Sequence, residues 1–152
     1  IKEWGPSALL PVFQILGTDY KSKKIISRFI NREKKRDTFT KIDFIYETAV
    51  ASIKVAEKAK SEGELVITGT EGYIYVPAPW WKTEYFEVRF ENQNKNRRYY
   101  YQLEGEGIRY EILTFIRSIQ EKKNLSNISK EITATNCKIM DDFNNEIDLI
   151  EI

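Results

Sequence analysis

The sequence predicts an α+β domain with a large, mostly antiparallel sheet, helices packed on one face of it and the other face open for a partner. Apolar residues recur with a period of two from residue 23 to residue 103, and two helical segments follow that stretch. Aromatic residues make up 13% of the chain, which suits a large sheet. The length of 152 residues, 1–152, is typical of one domain.

The first predicted element is a short helix over residues 5–16. Pro6 suits a first helical turn, the apolar residues continue through Leu16, and Gly17 is a natural stop. Pro11 lies inside this segment and can bend it.

Seven strands and two helices are predicted after this helix. The strands are expected near residues 23–30, 37–46, 49–57, 64–69, 72–77, 84–91 and 97–103. The stretches NREKKRD, KSEGE, GTEG and NQNKN fall between strands and are predicted to be turns. The helices are expected at about 107–121 and 129–143. The first of them has an apolar face made of Ile108, Ile112, Phe115, Ile116 and Ile119.

Several predicted strands carry apolar or aromatic residues on both sides. Phe44 alternates with Ile45, and Tyr99 and Tyr101 alternate with Tyr100. A sheet with one solvated face does not need this pattern. We therefore expect another subunit or domain to cover the second face, with the three tyrosines as interface candidates. The alternative is that the tyrosines are exposed with their hydroxyls in water.

The composition excludes several functional classes. The chain contains no histidine, which removes Ser-His and Cys-His pairs, the usual imidazole acid-base and nearly every zinc site. Its glycines form no dinucleotide fingerprint or P-loop, so nucleotide binding by this segment is not expected. The net charge is +1, and the basic runs REKKR and NKNRR fall in predicted turns with acids nearby. Solvated loops are therefore favoured over nucleic-acid contacts.

Within residues 1–152 we expect no membrane span and no secretion signal. It begins at Ile1 without a signal peptide, and no apolar run approaches the roughly 20 residues of a membrane span. We expect a soluble, cytoplasmic piece of a longer chain that binds no membrane. The single cysteine, Cys137, is compatible with a reducing compartment and is predicted to be a small buried hydrophobe in the last helix.

The stretch GYIYVPAPWWKTEYFEV places two tryptophans between two strands. Pro77 and Pro79 stiffen this connection, so one indole is expected to close the end of the core as a structural corner. Adjacent residues of an extended segment point in opposite directions, so the other indole of the Trp80 and Trp81 pair is free to face solvent, a partner or a sugar-like substrate. Lys82 could add a charge contact, or it could be solvated.

The order of these parts resembles a known family. Three stretches carry the resemblance: ASIKVAEKAKSEGELVITGTEGYIYVPAPWWKTEYFEV, GEGIRYEILTFIRSI and NISKEITATNCKIMDDF. They are similar to the C-terminal domain of the glucose-fructose oxidoreductase and inositol dehydrogenase (Gfo/Idh/MocA) family. The resemblance extends from about Glu3 to Phe143. The resemblance implies an NAD(P)-binding Rossmann domain elsewhere in the parent chain. It also implies that this domain shapes the substrate site and mediates oligomerisation through its open sheet face.

The family's first helix in this domain reads Asp-x-Gly-x-His/Tyr-x-x-Asp/His. The corresponding residues here are Glu3, Gly5, Ser7 and Leu10, so the match is degenerate. If the helix includes Glu3, residues 3, 7 and 10 share one face and can converge on one substrate hydroxyl. Serine cannot relay a proton as imidazole does. Glu3 could instead be a solvated charge, and Ser7 a first-turn residue that bonds backbone amides.

The resemblance implies that the parent chain is an NAD- or NADP-dependent oxidoreductase acting on a sugar-like or cyclitol substrate. The expected partners are a Rossmann domain absent from this sequence, a second copy and the small substrate. No catalytic residue, cofactor or metal is assigned to the fragment itself. The substrate-binding candidates are Glu3, Ser7, Trp80, Trp81 and Lys82. The rival interpretation is a non-catalytic interaction module derived from this fold, in a sugar or surface-polymer assembly protein.

Overall fold

The computed structural model describes residues 1–60, 63–105 and 107–152. Ser61 and Glu62, which belong to the predicted turn KSEGE, and Glu106, which precedes the predicted helix at 107–121, lie outside the described residues. In chain order the elements are α1 (Gly5–Leu16), β1 (Ser22–Asn31), β2 (Arg36–Ile45), β3 (Val50–Ala56), β4 (Leu65–Thr68), β5 (Gly72–Val76), β6 (Tyr85–Phe90), a 3-10 turn (Gln93–Lys95), β7 (Arg97–Tyr100), α2 (Ile108–Gln120), α3 (Lys130–Asn144) and β8 (Leu149–Glu151).

The chain divides into two compact units. Residues 1–60 and 127–152 form one of them, which we call the split unit. The described part of residues 61–126 forms the other, which we call the inserted unit.

The split unit contains a four-stranded sheet in the order β3-β2-β1-β8. The first three strands pair antiparallel, and β8 pairs parallel to β1, with Ile25 opposite Leu149. A register shift in β1 between Arg28 and Phe29 bends the strand near its end. Strand β8 was not predicted, because its three residues are too few to show a period of two.

Helices α1 and α3 pack on one face of this sheet. Their buried side chains meet those of the central strands in one core, formed by Leu9, Phe13, Ile25, Ile42, Phe44, Tyr46, Ile53, Val55, Ile139 and Phe143. The ring centroids of Phe13 and Phe44 lie 5.5 Å apart in an edge-to-face arrangement. The side chain of Ile45 points to the opposite face and is 50% exposed, as the alternation with Phe44 predicts.

The inserted unit contains a second antiparallel sheet in the order β4-β5-β6-β7. Its register gives one face that is almost wholly apolar, formed by Leu65, Ile67, Ile74, Val76, Phe86, Val88, Phe90 and Tyr99. Gly72 permits the close pairing of β5 and β6, since an added Cβ would lie 2.4 Å from the carbonyl oxygen of Arg89. None of the described residues between 63 and 126 is buried.

The α+β class with mostly antiparallel strands is confirmed, but the strands pair in two sheets of four instead of one large sheet. A period of two in the sequence locates the strands, but it does not identify which strands pair with each other. The sequence therefore could not show that the strands form two sheets. The helices are divided as well, because α1 and α3 belong to the split unit and α2 to the inserted unit.

The prediction of a buried Cys137 is wrong, because its side chain is exposed. The buried positions of α3 are Asn136, Ile139, Asp142 and Phe143, which recur every three or four residues. Residue 137 falls outside that stripe, so its thiol faces away from the core.

Candidate functional site

The two candidates at the start of the chain are both exposed, and they do not share a helix. Helix α1 begins at Gly5, so Glu3 lies in the turn that precedes it and Ser7 lies in the first helical turn. The condition for a shared helical face is therefore not met. Leu10 is half-buried and offers no polar group.

Ser7 has an accessible hydroxyl with no activating group. Neither Ser7 nor Glu3 makes a side-chain hydrogen bond or ion pair with any other described residue. A serine without a base to remove its proton is a hydrogen-bonding group and not a nucleophile. Its chemistry is therefore limited to donating to, or accepting from, a hydroxyl or carbonyl of a ligand.

Helix α3 holds the start of α1 in place. The Asn136 side-chain amide donates to the Pro6 carbonyl oxygen at 2.8 Å, next to Ser7 in the chain. The Oδ1 atom of Asn136 is buried and has no hydrogen-bond partner within the described residues. This contact fixes the first turn of α1 against α3 and thereby positions the Ser7 backbone.

The two tryptophans between β5 and β6, Trp80 and Trp81, differ in their exposure to solvent. Trp80 is half-buried, and its backbone N–H donates to the Gly63 carbonyl oxygen at 2.9 Å. The Trp81 ring is 55% exposed and lies edge-on to the Trp80 ring, with centroids 5.9 Å apart. Lys82 is exposed, and its backbone N–H donates to the Pro79 carbonyl oxygen. Trp81 is therefore the indole that can meet a ligand or partner.

The three interface candidates lie on or beside β7. Tyr99 is on the apolar face and stacks on Phe86 with ring centroids 5.0 Å apart. Tyr100 is on the opposite face, and Tyr101 follows the strand, with its backbone N–H donating to the Glu84 carbonyl oxygen at 2.7 Å. Their exposed fractions are 50%, 72% and 62%, so each is available for contact.

Sequence reasoning missed a set of paired side chains on the second face of this sheet. We call it the Tyr–Arg face; its members are Tyr73, Tyr75, Tyr85, Glu87, Arg89, Arg98 and Tyr100. The Arg89 guanidinium lies 4.4 Å from the Tyr75 ring centroid, and that of Arg98 lies 4.7 Å from the Tyr85 ring centroid. The signal was the period of two, which places Tyr85, Glu87 and Arg89 of TEYFEVRF on one side of a strand and Arg98 and Tyr100 of RRYYY on one side of the next.

Glu87 is the anion at the centre of the Tyr–Arg face. Arg89 and Arg98 both donate to its carboxylate, at 2.6 and 2.8 Å from their Nε atoms. These hydrogen bonds lower the pKa of Glu87, because they favour the charged carboxylate. The face therefore carries two guanidinium groups around one carboxylate.

Two surface pockets of about 500 and 580 Å³ lie in the split unit. The larger one includes Lys23, whose ammonium bridges Asp142 at 2.9 Å and Asp148 at 2.6 Å. Burial disfavours the charged form of Lys23, but the hydrogen bonds to both carboxylates outweigh it and raise its pKa. Neither pocket is lined by a residue that the sequence analysis selected.

No helix within the described residues is long and apolar enough to cross a membrane. Across the same parts of the chain, no three His, Cys, Asp or Glu side chains come together as a metal ion would require.

No family model and no curated protein matches this sequence. Solved structures of oxidoreductases do match its fold. An oxidoreductase from Agrobacterium radiobacter, in complex with NAD+, L-tartaric acid and magnesium, superposes with a TM-score of 0.69 over 92% of this chain and 44% of that chain, at 16% identity. A candidate oxidoreductase from Klebsiella pneumoniae gives a TM-score of 0.63 over 95% of this chain and 47% of that chain, at 11% identity.

A candidate oxidoreductase from Yersinia pestis matches with a TM-score of 0.61, over 95% of this chain and 46% of that chain, at 13% identity. The chain thus spans less than half the length of each of these three proteins. At such identities the likeness concerns the fold alone: this chain has the α+β fold of one part of these oxidoreductases.

Proposed function

We propose that this chain is the C-terminal, substrate-shaping and oligomerising domain of a cytoplasmic NAD(P)-dependent oxidoreductase that acts on a hydroxyl or carbonyl of a sugar-like or cyclitol substrate. The observation that carries the proposal is the match of 92% of this chain to 44% of an oxidoreductase that holds NAD+. In this proposal a Rossmann domain accounts for the remainder of the parent chain.

The described residues of this chain do not form a dinucleotide site. A pyrophosphate requires a glycine-rich turn from a parallel strand into a helix, where backbone N–H groups point at the phosphates. The strand before α2 is the antiparallel β7, and the turn between them contains Gly105 and Gly107 without the fingerprint spacing. We therefore assign the nicotinamide cofactor to the other domain and the contacts with substrate to this one.

Each unit offers its own substrate candidates. At the start of α1 the Glu3 carboxylate can accept from a substrate hydroxyl, and the Ser7 hydroxyl can donate or accept. In the inserted unit the exposed Trp81 ring offers an apolar face to a sugar ring, supported by Trp80 and flanked by Lys82. None of these groups is an imidazole, the commonest general acid-base, so this proposal assigns the proton acceptor to the domain that binds the cofactor.

The test is cofactor binding and turnover by the full-length protein. NAD+ and NADP+ are titrated first, and reduction is then screened over sugars, cyclitols and nucleotide sugars. We expect Glu3→Gln and Ser7→Ala each to lower kcat/KM by about tenfold or more, since a hydrogen bond to a charged or developing polar group contributes about 1.5–3 kcal/mol. Trp81→Ala should raise KM more than it lowers kcat. The control is Glu47→Gln, an exposed carboxylate between β2 and β3.

The second candidate function is a non-catalytic interaction module in a sugar or surface-polymer assembly protein. The observation that favours it is the degenerate first helix, in which Ser7 and Leu10 replace the polar pair of the family pattern. Full-length protein that binds neither NAD+ nor NADP+ would support this module. Cofactor-dependent turnover that neither Glu3→Gln nor Ser7→Ala changes would support the oxidoreductase, and it would show that the start of α1 does not contact the substrate.

A further inference from the structure

Helix α1 contains a backbone acceptor that the regular helical pattern leaves without its donor. Pro11 lies inside the helix and has no N–H, so the Ser7 carbonyl oxygen lacks the hydrogen bond that it would otherwise accept from residue 11. No side chain of the described residues donates to this oxygen. The Ser7 carbonyl is therefore available to a donor from outside the helix.

This carbonyl lies on the side of α1 that faces away from the core. The buried residues Gly5, Leu9 and Phe13 form one stripe along the helix. Ser7 and Pro11 share a second stripe, which is nearly opposite the first at about 3.6 residues per turn. Ser7 is exposed, and Pro11 is half-buried. The hydrogen bond that Pro11 removes would have run along this second stripe, so the acceptor is accessible.

The turn that carries the carbonyl is held in place by α3. Asn136, which is 8% exposed, donates to the carbonyl oxygen of Pro6, the residue before Ser7, at 2.8 Å. An acceptor on a fixed backbone loses little conformational freedom when a ligand binds it. The Ser7 carbonyl is therefore ordered before a ligand arrives.

We propose that Ser7 recognises a hydroxyl-bearing part of a neutral polyol through two of its atoms, the main-chain carbonyl oxygen that Pro11 leaves available and the side-chain Oγ. A carbonyl oxygen only accepts hydrogen bonds, whereas Oγ donates or accepts. Alcohol hydroxyls can match both atoms because they also donate and accept. A carboxylate offers acceptors only and cannot bond the carbonyl. The inference rests on the proposed function, in which the start of α1 contacts the substrate, and it makes Pro11 a specificity-determining residue.

The experiment supplies the missing N–H with Pro11→Ala in the full-length protein. This change closes the helical bond to the Ser7 carbonyl and leaves the Ser7 hydroxyl in place. The probes are D-glucose, myo-inositol and the monodeoxy derivatives of whichever binds more tightly, titrated by calorimetry. We expect Pro11→Ala to weaken binding of that polyol about fivefold, the effect of one neutral hydrogen bond. Its midpoint of thermal unfolding should not fall, because proline disfavours a helix interior.

A thermodynamic cycle identifies the hydroxyl that donates to the carbonyl. In the unmodified protein, one monodeoxy derivative should bind more weakly than its parent polyol. In Pro11→Ala that difference should disappear, since the acceptor is already occupied. Ser7→Ala keeps the main-chain carbonyl, so Ser7→Ala combined with Pro11→Ala should bind the polyol more weakly than either single variant.

Pro6→Ala is the matched control, because it removes a proline from the same helix without closing a carbonyl. Residue 6 precedes Ala8, whose N–H bonds the carbonyl of the N-cap residue Trp4 at 3.0 Å, so the added N–H has no helical acceptor. The control should bind the polyol as the unmodified protein does. Equal weakening by Pro6→Ala and Pro11→Ala would overturn the proposal.

Cofactor binding and turnover, measured on the same proteins, separate this inference from the proposed function. NAD(P)-dependent turnover and polyol binding that Pro11→Ala leaves unchanged would keep the oxidoreductase and overturn the role of the Ser7 carbonyl. Protein that binds no NAD(P)+ but loses polyol affinity in Pro11→Ala would overturn the oxidoreductase and keep that role. Protein that binds neither cofactor nor polyol would overturn both.

Discussion

The Asp43 carboxylate lies on the open face of the split unit's sheet, between two hydrogen-bond donors. Burial raises its pKa, but the hydrogen bonds from the Lys41 ammonium at 2.8 Å and from the Ser52 hydroxyl outweigh burial, so the pKa is lowered from its ordinary 3.8. A carboxyl group whose pKa is lower in the folded state stabilises the protein above the unfolded pKa, and this stabilisation disappears as the pH falls through the folded pKa.

Asp43→Asn should therefore lower the free energy of unfolding by about 1 kcal/mol near neutral pH, because it removes the charge that both donors stabilise. The difference from the unmodified protein should shrink as the pH falls below 3.8. Urea unfolding at about pH 7 and about pH 3 measures both values. Asp141→Asn is the matched control, since Asp141 is exposed and makes no side-chain contact with the described residues. If Asp43→Asn lowered the free energy of unfolding equally at both pH values, the Asp43 carboxylate would not be the group whose ionisation stabilises the fold.

Helices α2 and α3 both show apolar periodicity, but only α3 buries its apolar residues. Ile139 of α3 is fully buried, whereas Ile119 of α2 is 61% exposed, and no described residue of α2 is buried. The same Ile→Ala change thus removes a packed side chain in one helix and an exposed one in the other.

We predict that Ile139→Ala lowers the free energy of unfolding by about 2–5 kcal/mol, whereas Ile119→Ala changes it by less than about 0.5 kcal/mol. The two variants are compared by urea denaturation under one set of conditions. An equal loss in both would mean that the apolar face of α2 is covered in the protein as it exists in solution.

The bounds of most elements could be predicted because each carries a periodic pattern and clear end signals. Helix α1 is an example, with Pro6 in its first turn and Gly17 after its last residue. Cys137 shows the limit of such reasoning, since apolar neighbours in sequence are not neighbours on a helix. The candidate site was harder to predict, because the exposure of Trp81 depends on tertiary packing.

The two units of the molecule differ in the way they bury apolar residues. The split unit has a core of fully buried side chains, whereas the described residues of the inserted unit include none that is buried. Local stability follows buried apolar contacts, so the two sheets should open at different free energies.

We predict that amide hydrogens of β1 and β2 exchange at least about tenfold more slowly than those of β5 and β6 in the native protein, since about 1.4 kcal/mol of opening free energy corresponds to that factor. Hydrogen exchange followed by mass spectrometry on peptides from both sheets checks this. All four strands lie in the interior of their sheets, so fraying of edge strands does not affect the comparison. Similar protection of the two sheets would show that the inserted unit is stabilised by contacts beyond its own residues.

Helix α3 and strand β8 belong to the split unit, but they follow the whole inserted unit in the chain. The core that surrounds Phe44 needs Ile139 and Phe143, and β1 needs Leu149 as its parallel neighbour. On the ribosome the first 60 residues must therefore wait, with their apolar strands unpaired on one side, until the last stretch emerges. We expect closure of this long loop to be a late step in folding, so that the nascent chain exposes apolar strands while the inserted unit is synthesised.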